Sequence, residues 1–304
     1  SPDASWGQIG QGAFMYGFPC WPNTKDMKLL GFVDLPIAAP MAIAAGTNLQ
    51  WMGSGRCDPV INKNLGTLLD NQNERDTWYK GSEPRYPNYK RTASAGYVVI
   101  TSRSENKAVF VDLQPLLAYF RTMYFTTQAR YDSTKNVGQA ANQWPFTFDQ
   151  SPEQKPVVAF TLDVKAPTAV AAGLSEGMLG GKGSPHGNMK WWRASSFGDG
   201  YAYVTTMDGR LLIYSIGGLN TEAAATRPEL CKIISIGKNP TSISHGSAGT
   251  YKNDIWINCR GDKSIYGFTA DGDQFHLLRD SRIQDPVMTE NSTVTNGQYI
   301  GLYD

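Results

Sequence analysis

Histidine is scarce in this chain of 304 residues: His186, His245 and His276 are far apart and never stand at HxH spacing. No CxxCH occurs either, so the local motifs of a copper or haem enzyme are excluded. The four cysteines, Cys20, Cys57, Cys231 and Cys259, form no CxxC pair, which argues against a zinc site. They allow three disulfide pairings, or four buried thiols, and spacing does not choose among these. Charge is sparse as well, at 18% of residues, and 28 Lys+Arg against 27 Asp+Glu leave a net charge of +1. A chain so balanced has no overall field to draw in a polyanion, so nucleic acid is not an expected partner. No apolar run approaches the roughly 18 residues that a membrane helix needs. The longest, Leu35 to Gly46, is broken by Pro36 and Pro40, and no membrane span is expected.

Catalytic motifs are missing too. There is no GxSxG, HExxH or EF-hand loop. Gly177, Gly181 and Lys182 fall one residue short of a phosphate loop, and Gly183 stands where a hydroxyl should hold magnesium. Asp199-Gly200 and Asp271-Gly272-Asp273 read as turns, and Arg260-Gly261-Asp262 as a hairpin tip whose turn chemistry suffices to explain it. No cofactor and no metal is expected.

Hydrophobic residues make up 41% of the chain and aromatics 12%, which is ample for a buried core. Those residues repeat. Ile37 to Gly46, Val164 to Gly173 and Ile236 to Gly246 share one pattern: a proline (Pro40, Pro167, Pro240), Ile or Val three residues on, and Gly three residues after that. Each follows a β-rich run, at Leu29 to Val33, Val157 to Leu162 and Cys231 to Ile236. Proline between two apolar runs marks a turn between strands. A second unit recurs after each Gly. Tyr97 to Ser102 leads to Ala108–Asp112, Tyr201 to Thr206 leads to Leu211–Ser215, and Asp254 to Asn258 leads to Ile265–Phe268. Alternation, aromatic and β-branched content and the polar turns make each a β-hairpin. An outer strand, a Pro turn, an inner strand and a hairpin, spaced by about 46 residues from Pro240 to Pro286, describe a four-stranded propeller blade.

The best copy, Lys232 to Thr269, resembles the YVTN family of β-propeller repeats, with Ile236-Gly237 before Pro240 and Ile255 to Asn258 at the eponymous strand. Val109 to Asp112 fits the family's third strand. The resemblance implies an all-β fold, a single β-propeller domain over 1–304 with about six or seven four-stranded blades. It says little about chemistry. Strands at Gly12 to Phe18 and Met27 to Val33 would combine with Val287–Val294 and Tyr299–Tyr303 in one composite blade that hides both sheet edges. Simple truncation is the alternative.

Two stretches, about 114–155 and 174–190, do not fit the repeat and read as insertions. The first opens with Pro115, and Leu116, Leu117, Phe120 and Tyr124 fall on one face of a short helix. Such a helix covers the propeller, or forms a lid or docking element. Its remainder, Tyr131 to Gln154, is polar around Trp144 and reads as a long ordered loop. The second insertion reads as a flexible glycine loop ending at His186. Trp191 and Trp192 follow it, and on a strand they point to opposite faces. Packing accounts for both rings, while an outward one beside Arg193 suits a partner or a sugar.

The candidate binding residues are therefore Tyr119, Trp144, His186, Trp191, Trp192, Arg193 and His245, the last placed by its strand near a channel mouth. Low charge with many Asn, Gln, Ser, Thr and Tyr suggests a periplasmic or extracellular protein, and Ser1-Pro2 reads as a mature end or a trimmed one. The favoured function is a non-catalytic scaffold that binds another protein chain, as a subunit of a hetero- or homo-oligomer. A periplasmic redox or lyase enzyme with its site at the channel mouth is the alternative, and a glycan-binding lectin the third.

Overall fold

The computed structural model describes residues 28–47, 70–79, 94–173, 201–220, 224–245, 254–271 and 274–280. The chain divides into two compact units. One comprises Ser1–Asp34, Thr47–Gly96 and Leu113–Val157, and so holds the first insertion. The other comprises Leu35–Gly46, Tyr97–Asp112 and Val158–Asp304.

The second unit carries three antiparallel four-stranded sheets, formed by consecutive strands. Sheet one is β1 (Ala42–Thr47), β2 (Gly96–Ser102), β3 (Lys107–Asp112) and β4 (Val157–Asp163), in that order. Sheet two is β5 (Pro167–Gly173), β6 (Tyr201–Thr206), β7 (Arg210–Ser215) and β8 (Glu229–Ser235). Sheet three is β9 (Pro240–His245), β10 (Asp254–Cys259), β11 (Ser264–Asp271) and β12 (Gln274–Asp280). Each proline of the repeat thus stands at or just before the first strand of a sheet, where the missing N–H breaks no ladder. The hairpins fall where alternation places them: Ser102 pairs with Lys107, Thr206 with Arg210 and Cys259 with Ser264 across the turns.

Sheet two is covered on both faces. Tyr97, Val99, Ala108, Phe110 and Leu162 of sheet one pack with Val170, Ala202, Val204, Leu212 and Tyr214 of sheet two. On the other side Ala171, Tyr203, Leu211 and Ile213 pack with Ile255, Ile257, Cys259 and Tyr266 of sheet three. A strand buried on both faces needs a continuous apolar run, and β7 reads Leu211-Leu-Ile-Tyr214. The repeat's glycine has a packing reason in sheet one, since a Cβ at Gly46 would stand 2.9 Å from the Tyr97 ring. The Tyr97 hydroxyl donates to the Tyr201 carbonyl at 2.8 Å, tying sheet one to sheet two at this level.

Some expectations are corrected. Leu29 to Val33 is not a strand, because its carbonyl at Leu30 accepts from Phe148 of the insertion (2.8 Å) instead of entering a ladder. Before the first hairpin stands a helix that the repeat pattern did not indicate, α1 (Gln72–Tyr79), opened by the Asn71 side chain accepting from the Asn73 amide at 2.9 Å. The insertion helix exists as α2 (Gln114–Phe125), with its proline in the first turn. Its buried residues, Arg121, Met123, Tyr124 and Phe125, lie toward the C-terminal end. The loop expected after it begins with another helix, α3 (Gln128–Ser133), whose first turn is capped by Thr127 accepting from the Arg130 amide. The expected strands at Gly12 to Phe18, Val287 to Val294 and Tyr299 to Tyr303, and the second insertion, lie outside the described residues.

The last residue of each hairpin turn has positive φ: Asn106 (55°), Gly209 (89°) and Lys263 (53°). A left-handed residue closing a three- or four-residue turn matches the twist of the strands it joins. Gly209→Ala is expected to cost about 1–2 kcal/mol from the φ alone. The cost grows because the new methyl would lie 2.8 Å from the Ile236 carbonyl oxygen. Lys263→Gly, at the equivalent position, is expected to be neutral or mildly stabilising. Thermal melts of the two variants check both signs.

Candidate interaction face at the turns

Hairpin turns and crossovers between sheets meet at one end of the sheet stack, and they bond to one another in sequence. The Val164 amide donates to the Asn106 carbonyl (2.9 Å) and the Ala166 amide to Asn106 Oδ1 (2.7 Å). Met207 in turn donates to the Ala166 carbonyl (2.9 Å), and Asn239 to that of Met207 (3.1 Å). Arg260 completes the series by donating to the Asn239 carbonyl (3.0 Å). Hairpin, crossover, hairpin, crossover and hairpin therefore form one continuous ridge. Ala166 (φ 46°) and Asn239 (φ 50°), each directly before a proline, adopt the left-handed turn that exposes these groups to both neighbours.

The ridge continues to the first crossover through Glu105. Its Oε1 and Oε2 accept from Ala38 at 3.1 and 3.0 Å, and Oε2 also from Ala39 at 3.1 Å. The Ser102 hydroxyl donates to Oε2 at 2.7 Å. That hydroxyl and the two amides hold the Glu105 carboxyl below its ordinary value of 4.5. A depressed folded-state value adds stability above the unfolded value and loses it as pH falls through the folded one. Glu105→Gln is accordingly expected to lower the melting temperature at pH 7. The difference from wild type should shrink toward pH 3, a convergence that paired melts at several pH values check.

Two of the other ridge carboxylates, Asp163 and Asp208, are engaged in the same way, and a third, Asp262, stands in the last hairpin turn beside Gly237. Asp163 pairs with Lys107 Nζ at 2.5 Å, which lowers its pKa. Asp208 accepts from Arg210 Nε at 3.0 Å and from the Thr206 hydroxyl at 2.5 Å, with the same effect. The exposed cations Arg103, Lys165, Lys238, Arg260 and Lys263 have no carboxylate partner among the described residues. Between them Met207 is 41% exposed. Read along the ridge, the outward side chains are Arg103, Lys165, Met207, Lys238 and Arg260.

Three of the candidate residues named from sequence, Tyr119, Trp144 and His245, fall among the described residues and are not part of the ridge segments. In the first unit Trp144 is 1% exposed, and its indole N–H donates to the Tyr124 hydroxyl at 2.7 Å. Tyr119 stacks on Trp144 with 6.2 Å between centroids, and its half-buried hydroxyl bonds that of Ser151 at 2.9 Å. Phe120 and Phe146 complete the shell around the indole. This insertion core is extended by Arg75, buried, which donates to Gln128 Oε1 (2.7 Å) and Gln72 Oε1 (2.6 Å) and lies over the Tyr131 ring. Lys28 Nζ ties the preceding segment to the carbonyls of Ala140 and Gln143, both at 2.7 Å.

His245 ends β9 opposite Ile255. Cys231 is exposed on β8 and Cys259 is buried on β10. His186, Trp191, Trp192, Arg193, Cys20 and Cys57 lie outside the described residues. Among the described residues no three His, Cys, Asp or Glu side chains converge on a metal position, and no helix is long and apolar enough to cross a membrane.

The ridge was not among the sequence candidates. Its signal was present in the paired Lys165-Ala-Pro167 and Lys238-Asn-Pro240, where a cation recurs at one repeat position. No family model matches the chain, and no curated protein matches it at a significant level.

Proposed function

We propose that this chain is an exported, non-catalytic β-propeller that binds another protein chain, as a scaffold or as a subunit of a larger assembly. The observation that carries the reading is the interlocked ridge of turns, which presents side chains from successive sheets on one backbone-bonded edge. Rigid scaffolds that present turns and loops are suited to recognition.

Closure into a ring has its own support. The three sheets follow one another as separate meanders, and sheets two and three touch through β5 and β9, the first strand of each. Spokes that converge through their first strands suit an axis. The far face of sheet one is apolar and that of sheet three is mixed. Sheet one carries Ile43, Val98, Ile100, Val109 and Val111 on the face away from sheet two, where Ile100, Val109 and Val111 are buried and Ile43 is exposed. Sheet three carries Trp256 and Ile265 on its far face together with Asn258 and Ser242. An apolar outer face that is already largely covered is what a blade inside a closed ring of about six or seven blades requires. The YVTN-like repeat belongs to the same reading.

Native mass spectrometry with metal analysis, on protein isolated from its source without tag or chelator, tests the function. A metal-free chain carrying a second chain in fixed ratio is the expected result. A lone chain holding a stoichiometric metal or small molecule overturns the scaffold reading and supports an enzyme.

A further inference from the structure

We propose that the ridge of turns is the docking surface, and that it takes an acidic segment of a partner protein with one apolar side chain at its centre. This rests on the scaffold reading and adds the partner's chemistry to it. Met207 would receive the apolar side chain, Lys165 and Lys238 the carboxylates on either side, and Arg103 and Arg260 the next ones out.

The charge pattern comes from pairing within the fold. Glu105 is held by Ser102 and the amides of Ala38 and Ala39, Asp163 by Lys107, and Asp208 by Arg210 and Thr206. The crossover cations Lys165 and Lys238 are not in such pairs, and although Asp262 stands beside Gly237, the ridge segments hold seven Lys or Arg against four Asp or Glu, so the ridge is locally basic in a chain whose net charge is only +1. Sheets that pack face to face stand about 10 Å apart, so cations from successive repeats meet separate carboxylates on an extended peptide. Two features select a peptide over a nucleic acid. No aromatic side chain lies in the ridge segments 103–107, 163–167, 207–210, 236–240 and 260–264, so a base finds nothing to stack on. The central contact is an exposed thioether, which suits an aliphatic side chain.

The test uses the full chain and three fluorescent probes: Asp-Glu-Asp-Leu-Glu-Asp-Glu, the same peptide with Lys in place of every acid, and a single-stranded oligothymidine of about twelve nucleotides. Anisotropy is read for wild type, Lys165→Glu/Lys238→Glu and Met207→Ser. All these positions are exposed, and unchanged melting temperatures confirm that the variants fold. The expected result is binding of the acidic peptide, weakened by salt, with about a tenfold or greater loss in the double variant and a smaller loss in Met207→Ser. No binding, or equal binding by wild type and the double variant, overturns the proposal. So does tighter binding of oligothymidine that the double variant abolishes, since the ridge would then be a nucleic-acid surface. A partner that co-purifies equally with wild type and the double variant also sinks it, while leaving the scaffold reading intact. A lone metal-bearing chain removes the scaffold reading itself.

Discussion

Trp144→Ala is expected to destabilise the insertion by about 3–5 kcal/mol, the usual cost of truncating a fully buried tryptophan. The indole is the hub of the first unit's core. Tyr119 stacks on it, Tyr124 and Phe146 meet it edge-on, and Phe120 tilts against it at 4.9 Å between centroids. Truncation opens a cavity among these rings and also leaves the Tyr124 hydroxyl, which accepts from the indole N–H, without that donor inside the core. Trp144→Phe keeps most of the volume and loses only the donor, so it should recover the larger part of the loss. Amide exchange along α2 and α3 reads the effect directly. If those amides keep wild-type protection in Trp144→Ala, the aromatic cluster is not what holds the insertion together.

The sheets could be read from the sequence, because each level of information agreed. Alternation set the hairpins, polar turn residues placed their reversals, and prolines showed where one sheet gives way to the next. The two helices that escaped reading lacked such agreement. In α3, Gln-Ala-Arg-Tyr-Asp-Ser, only Tyr131 is buried, so no apolar period exists to detect. In α1 the stabilising bonds are polar, from Gln72 Nε2 to Asp76 and from Arg75 to Gln128. Leu29 to Val33 erred in the opposite direction. It has the composition of a strand, yet the Leu30 carbonyl is taken by Phe148, 118 positions along the chain.

The ridge was illegible for a related reason. Arg103, Lys165, Lys238 and Arg260 look like ordinary turn residues, and the chain's charges nearly cancel. Their significance depends on where the neighbouring acids go. Glu105 reaches amides 66 and 67 positions away, and Lys107 takes an acid 56 positions away. Those pairings follow from sheets stacking in order, which no local window contains. Tyr119 and Trp144 were visible as aromatic and unusual for their setting, but their burial depends on the helices that composition concealed.

Sheet stacking is itself testable at Phe110. This side chain is 0% exposed on β3, lies opposite Val99 on β2, and meets Tyr214 of β7 edge-on with 6.3 Å between centroids. It therefore belongs to the layer that joins sheet one to sheet two. Phe110→Ala is expected to cost about 3–5 kcal/mol, a large part of the 5–15 kcal/mol that typically separates native from unfolded states. Phe110→Leu refills most of the cavity and should cost much less. Tyr97→Phe separates packing from hydrogen bonding in the same layer, removing the hydroxyl that bonds the Tyr201 carbonyl, a bond of about 1 kcal/mol. The readout is the urea midpoint followed by both far-ultraviolet and tyrosine signals. If the two sheets unfold as one layer, both probes should shift together with an unchanged slope. A Phe110→Ala loss below about 1 kcal/mol would mean that sheets one and two do not share a core, and the ridge built across them would lose its foundation.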